Sequence, residues 1–263
     1  TPHRVTAHLI FSHGNGFPAG TYEQLFKVWR NAGYTVSAVE KFGHDPRYPV
    51  TSNWPRLRDQ LIEHAQAQTG APRFLVGHSL GGLLSLMAAC WKAELAQGVV
   101  LLDSPVITGW RAHSVQVIKA SGLMRRFSPG RVSQHRRHHW PDRTAVAEHF
   151  GAKSAFARWD PRSLADYVEH GFVERNGHVE LAFDRAVETR IYNSLPHTLD
   201  RLLHRHPLRC PFGFVAGTQS REMRQGGLGT AQRLAHDNFH WIEGTHLYPM
   251  ERPEETAALV VGI

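Results

Sequence analysis

Gly77-His78-Ser79-Leu80-Gly81 is the stretch of this chain best suited to chemistry. An apolar run, Phe74-Leu75-Val76, precedes it, and Leu83 to Ala89 follow with the composition of a buried helix. A strand that turns directly into a helix leaves its apex residue in a strained backbone conformation. Glycines two positions either side remove the Cβ atoms that would collide there. Ser79 then projects its hydroxyl from the sheet edge over a helix N-terminus, which favours developing negative charge. Without that context the stretch would be only a glycine-rich turn with an idle serine. A serine hydroxyl is a weak nucleophile unless a base takes its proton. The chain has 19 histidines, and His246, in Gly244-Thr245-His246, is the one that follows the last expected strand on a glycine loop.

An acyl-transfer centre also needs two backbone N–H donors for the oxyanion. The residue after the nucleophile, Leu80, is one candidate. The other is Asn15, in His13-Gly14-Asn15-Gly16, where two glycines let the backbone approach a substrate closely. Phe17, His78, Trp110 and Leu247 flank these groups and are the expected pocket residues.

The elements that must hold these groups are legible as alternation. His8–Ser12, Tyr34–Val39, Phe74–Val76, Val99–Leu102, Phe212–Ala216 and Phe239–Ile242 read as short buried strands. Helical spacing over 22–29, 54–68, 83–89, 230–235 and 254–261 separates them. That order predicts an α/β fold with a doubly wound, mainly parallel, six-stranded sheet. The alternation lapses between about 107 and 198, too long for a plain loop, which predicts an inserted helical cap. The expected organisation is a core of 1–106 and 199–263 carrying a cap of 107–198. Within the cap, Val173–Glu180 suits a hairpin turning at Asn176-Gly177.

Composition narrows the class. A chain of 263 residues can bury a core without metals or disulfides. No run reaches the roughly 18 apolar residues of a membrane span, and Thr1 to Arg4 opens no apolar signal segment. Two cysteines, Cys90 on an apolar helix and Cys210, form no disulfide framework, so a cytoplasmic, reducing setting is expected. The net charge is +7. Residues 111–139 alone hold seven Lys or Arg and no Asp or Glu. No nucleic-acid motif or aromatic interleaving accompanies that run. It reads as a solvated basic face or, if it faces the pocket, as a preference for anionic substrates. His135, His138 and His139 have no metal-site spacing, and no metal or other cofactor is expected. Trp110, Trp140, Trp159 and Phe172 suit either a pocket lining under the cap or, for most of them, packing within it.

His13-Gly-Asn-Gly, Gly77-His-Ser-Leu-Gly-Gly, and Gly244-Thr-His-Leu-Tyr-Pro with Glu251-Arg-Pro-Glu together resemble motifs of the α/β-hydrolase superfamily. The likeness runs over nearly the whole chain and points to its capped esterase, C–C hydrolase and dehalogenase-like branches. It implies a sheet lacking the family's first antiparallel hairpin. Residues 41–47 are similar to a loop where relatives carry Gly-His-Gly, with Asp45 in place of the last glycine. The resemblance implies Ser79 as nucleophile and His246 as base, in an enzyme for a small acyl substrate, an ester or thioester. A dehalogenase would need a carboxylate at position 79. C–C bond hydrolysis, cofactor-free oxygenation and ligand binding without turnover remain the rival readings.

The third member departs from the pattern. Relatives commonly place an acid after the strand that here is Phe212–Ala216, where this chain has Ser220. Glu222 lies two residues on, beside Arg221 and Arg224. Some relatives carry the acid at the end of the strand that here closes on Asp103, and a carboxylate ending an apolar strand needs a partner. Asp103 is therefore the expected acid, against Glu222 or a plain turn-capping role for Asp103 before Ser104-Pro105.

Overall fold

The computed structural model describes residues 6–108 and 137–263 of the chain. Trp110 and most of the basic run, 111–136, lie outside the described residues. Six strands, β1 (His8–Ser12), β2 (Thr35–Ala38), β3 (Arg73–His78), β4 (Gly98–Leu102), β8 (Phe212–Gly217) and β9 (Phe239–Ile242), form one sheet in the order β2-β1-β3-β4-β8-β9. Every pairing in it is parallel. The expected sheet is thus present, and its strands fall within two residues of their expected bounds.

The strands are continuous apolar runs because both faces are covered. Alternate residues serve opposite cores. Ile10, Leu75, Leu101 and Phe214 pack on one side with the helices Pro55–Gln66 and Leu80–Trp91. Phe11, Val76, Leu102 and Val215 pack on the other with Glu23–Asn31 and Pro253–Gly262. The indole N–H of Trp29 donates to the Ala257 carbonyl at 3.0 Å, tying those last two helices together. Cys90 fills the first core, and burial pushes its thiol up to about 12, so it stays protonated. Both cysteines are free.

From β1 the chain runs outward to β2, then returns to β3 on the other side of β1. Strand order therefore reverses between β1 and β3, and the loops at their C-terminal ends open a crevice there. Those loops carry Asn15 and Ser79.

Between β4 and β8 the described residues hold five helices, Arg143–Gly151, Ser154–Ala157, Pro161–His170, Arg185–Asn193 and Leu199–Arg205. The segment also carries the hairpin expected over 173–180, within a small sheet. Strands β5 (His139–Trp140), β6 (Phe172–Arg175) and β7 (His178–Leu181) form an antiparallel sheet in the order β5-β7-β6. Its hairpin turns at Asn176 and Gly177, with φ of 50° and 77°, as a two-residue turn with two positive φ values requires. Trp140, Trp159 and Phe172 are buried in the second core with Phe150 and Tyr167. No helix among the described residues is long and apolar enough to cross a membrane.

Candidate active site

Ser79 occupies the strand-to-helix apex with φ 54° and ψ −114°, a conformation a non-glycine residue holds only under strong constraint. Its N–H donates to the Leu102 carbonyl at 3.0 Å, locking the elbow to β4. The flanking glycines are obligatory. A Cβ on Gly77 would lie 2.1 Å from the Gly81 carbonyl oxygen, and one on Gly81 would lie 1.9 Å from that of Ser12.

The imidazole of His246 bridges Ser79 and Asp103. Nε2 lies 2.9 Å from Ser79 Oγ, and Nδ1 lies 2.6 Å from Asp103 Oδ2. A carboxylate only accepts, so Nδ1 carries the proton and Nε2 offers its lone pair to the serine hydroxyl. Asp103 is completely buried at the C-terminal end of β4, with φ 52°. Its Oδ1 accepts from the Gly217 N–H at 2.7 Å, and its Oδ2 also accepts from the Ser220 hydroxyl at 2.5 Å. The side chain is turned across the sheet edge and does not cap the turn into Ser104-Pro105.

Burial of the His246 ring works against an imidazolium. The hydrogen bond and charge of Asp103, with the charge of Glu222 behind them, outweigh it and raise the pKa above the ordinary value. Glu222 is exposed, and its Oε2 sits 3.5 Å from Ser220 Oγ rather than on His246. One ligand atom each from Asp103, Glu222 and His246 lie within 4.8 Å of one another. A cation held there would have to displace the Nδ1 proton and break the bridge.

The loop after β1 is a tight turn. Phe17 N–H donates to the Gly14 carbonyl at 3.1 Å, with Gly16 at φ 86° in the third position, the geometry of a type II turn. His13 Nε2 accepts from the Phe42 N–H at 2.8 Å, so its Nδ1 is protonated and donates to the Gly14 carbonyl at 2.7 Å. Burial lowers the His13 pKa to about 4 and keeps this tautomer neutral. The peptide is trans, so fixing the Gly14 carbonyl sends the Asn15 N–H to the opposite side. Leu80 begins the helix Leu80–Trp91, and the first N–H of a helix has no partner within it. Asn15 and Leu80 carry the two backbone N–H groups that the sequence singles out.

Ser79, His246, Asn15, Phe17, His78 and Leu247 all line one cavity of about 610 Å³. Phe17 also packs on Trp159 and Tyr167. Trp110 lies outside the described residues. Asp45 is not among the lining residues and pairs with Arg47 at 2.9 Å.

Sequence reasoning missed several groups. Ser154, Arg158, Glu188 and Tyr192, from the segment between β4 and β8, and Arg221, from after β8, line the cavity. Tyr22 reads in sequence as an ordinary helix-face aromatic. In the fold its hydroxyl lies 2.7 Å from His78 Nδ1 and accepts the Gly14 N–H at 3.0 Å. No spacing signal announces such contacts, because they depend on how separate loops converge.

Comparison with known proteins finds relatives by sequence and by fold. Monoglyceride lipase of Rattus norvegicus is 27% identical over 124 residues, covering 44% of this chain and 41% of that protein. Monoglyceride lipase of Homo sapiens is 31% identical over 129 residues, covering 46% and 43%. The chain therefore matches less than half the length of these curated relatives. In three dimensions it resembles E-2-(acetamidomethylene)succinate hydrolase, with a TM-score of 0.74 and 20% identity over 98% of this chain and 91% of that one. It also resembles a thioesterase domain from the curacin biosynthetic pathway, with a TM-score of 0.75 and 18% identity over 97% and 91%. The sequence model of the alpha/beta hydrolase family matches residues 9–259. The chain belongs to the alpha/beta hydrolase family.

Proposed function

We propose that this protein is a serine hydrolase that cleaves a carboxylic ester or thioester through an acyl-enzyme on Ser79. The observation that carries the reading is the unbroken line from Ser79 Oγ to His246 Nε2 at 2.9 Å and from Nδ1 to Asp103 Oδ2 at 2.6 Å. His246 takes the hydroxyl proton as Ser79 attacks the carbonyl carbon, and Asp103 stabilises the imidazolium that results. The N–H groups of Asn15 and Leu80 hold the oxyanion. The proton on Nε2 then passes to the departing alcohol or thiol. Water, deprotonated by the same nitrogen, attacks the acyl-enzyme and releases the acid and Ser79.

Side chains on both sides of the cavity support a division into a core of 1–106 and 199–263 and a cap of 107–198. Ser79 and His246 come from the core, and Arg158 and Tyr192 from the insert. Both free cysteines suit a reducing compartment such as the cytoplasm. Relatives named as a lipase and a thioesterase frame the choice of leaving group.

The test is fluorophosphonate labelling followed by a panel of esters and thioesters of increasing acyl length. Ser79→Ala should stay folded, lose labelling, and lose turnover on the order of 10⁶-fold. Full esterase activity in Ser79→Ala would remove Ser79 from the chemistry. Labelling without turnover of any ester or thioester would turn the reading to C–C hydrolysis or oxygenation. No labelling and no turnover would leave a ligand-binding member of the family.

A further inference from the structure

We infer that Tyr22 and His78 are positioning residues: one buried hydrogen-bonded chain through them couples the loop of Asn15, the elbow of Ser79 and the loop of His246. The inference rests on the serine-hydrolase reading and deepens it.

Both side chains are essentially inaccessible, at 0% and 1% exposure, so their polar atoms must be satisfied internally. His78 Nε2 lies 2.7 Å from the main-chain oxygen of His246. That oxygen only accepts, so Nε2 carries the proton. Burial, helped by the neighbouring His246, lowers the His78 pKa to about 3 and keeps the ring neutral. Nδ1 is therefore bare and accepts the Tyr22 hydroxyl proton at 2.7 Å, while the Tyr22 oxygen accepts the Gly14 N–H at 3.0 Å. Every proton in the chain has one direction: Gly14 N–H to Tyr22, Tyr22 O–H to His78, His78 N–H to the His246 carbonyl.

Each end acts on a reacting group. His78 is bonded covalently to Ser79, so the residue holding the His246 backbone is also the neighbour of the nucleophile that meets the His246 ring. At the other end, Gly14 precedes Asn15, whose N–H holds the oxyanion in the proposed reaction. The packing leaves no slack, since a Cβ on Gly14 would stand 3.1 Å from both His78 Nδ1 and the Tyr22 hydroxyl oxygen. The aromatic rings add only contact, with the Tyr22 and His78 centroids 5.7 Å apart. The hydroxyl and the two ring nitrogens carry the direction.

The chain predicts coupled losses. Tyr22→Phe removes one hydroxyl and leaves the Gly14 N–H and His78 Nδ1 unpaired. In the folded variant kcat for a p-nitrophenyl ester should fall about tenfold, with KM within about twofold, because the lost alignment matters in the transition state. His78→Gln places an amide donor near the position of Nε2 and drops the acceptor for Tyr22. His78→Asn does the reverse. Both should lose kcat, and Tyr22→Phe should cost less in His78→Gln than in the wild type, since one of the two bonds it breaks is already gone there. Thermal unfolding confirms that each variant is folded. A merely structural role would lower Tm without this kcat-against-KM split.

The same Tyr22→Phe factor in the wild-type and His78→Gln backgrounds would overturn the coupling, as would wild-type kcat in folded Tyr22→Phe. Should Tyr22→Phe fail to fold, the two His78 variants decide, and wild-type kcat in either overturns it. Fluorophosphonate separates the two levels of inference. A wild type that labels, beside a Tyr22→Phe variant that labels equally fast, defeats the coupling alone. A wild type that neither labels nor turns over esters defeats the hydrolase reading and the coupling with it.

Discussion

Ser220 donates its hydroxyl to Oδ2 of Asp103 at 2.5 Å, joining the ends of two neighbouring strands, β8 and β4. The position where relatives of this family commonly carry an acid thus holds a residue that serves an acid on the adjacent strand. The same Asp103 oxygen receives Nδ1 of His246. Serine at 220 and aspartate at 103 therefore form a matched pair. A second carboxylate at 220 would face the first across a hydrogen-bond distance, and two like charges there would not both ionise.

Asp103→Asn should leave the protein folded and reduce ester turnover by roughly 10⁴, because the imidazole loses the charge that fixes its tautomer and stabilises its protonated form. Glu222→Gln should change turnover by less than about tenfold, since Glu222 is exposed and reaches His246 only through space. Steady-state kinetics on the two variants, with circular dichroism to verify folding, ranks them. The reverse order would make Glu222 the working acid.

The pairing also predicts a transplant. In Asp103→Asn, adding Ser220→Asp places a carboxylate where the hydroxyl now sits, one strand over and next to the position of the Asp103 oxygen that meets His246. Turnover should recover at least about tenfold from the Asp103→Asn level, a gain of ~1.4 kcal/mol in the barrier. Ser220→Asp in the presence of Asp103 should instead lower activity through repulsion. If the double variant is no faster than Asp103→Asn alone, position 220 cannot present an acid to His246.

The fold was legible because its strands are buried on both faces and written as apolar runs between helices. Ser79 and His246 were legible because an elbow and a glycine loop leave local signatures. Asp103 stood out as a candidate because a carboxylate closing Val99–Leu102 needs a partner, and in the fold it meets His246. Tyr22, Arg158 and Glu188 were not, since what they touch is set by loops that meet only in three dimensions. The small antiparallel sheet was half visible. Its hairpin follows from Asn176-Gly177, but β5 spans only His139–Trp140, too short for a period-2 pattern to register.

The raised pKa of His246 fixes the sign of the acid limb. His246 must be neutral to take the serine proton, so kcat/KM should fall as pH drops through a value above the ordinary imidazole pKa of about 6.5. Glu222→Gln removes a charge that favours the imidazolium, and should move the limb to lower pH. A limb unmoved or shifted upward would contradict the field assigned to Glu222. Stability has the opposite direction. A histidine whose folded pKa is raised contributes most below its unfolded value, and that contribution is lost as pH rises through the folded value. Urea unfolding of wild type and Asp103→Asn across this range should show the difference shrinking with rising pH.

Charge selectivity gives the last prediction. Among the described residues the cavity is lined by Arg158 and Arg221 against Glu188 and Glu222, so their formal charges cancel. The described lining thus has no net charge to attract an anion, whereas 111–139 holds seven cationic residues and no acid. If that run faces the cavity entrance, a carboxylated ester should outpace its neutral match by several-fold or more in kcat/KM at low ionic strength, through faster association. The advantage should shrink as salt rises toward 1 M, where charges are screened beyond about 3 Å. Replacing Arg125, Arg126 and Arg131 by Gln should remove the same advantage at low salt while leaving the neutral ester unaffected. Equal constants for the two esters, insensitive to salt, would mean that the run is a solvated face with no part in substrate choice.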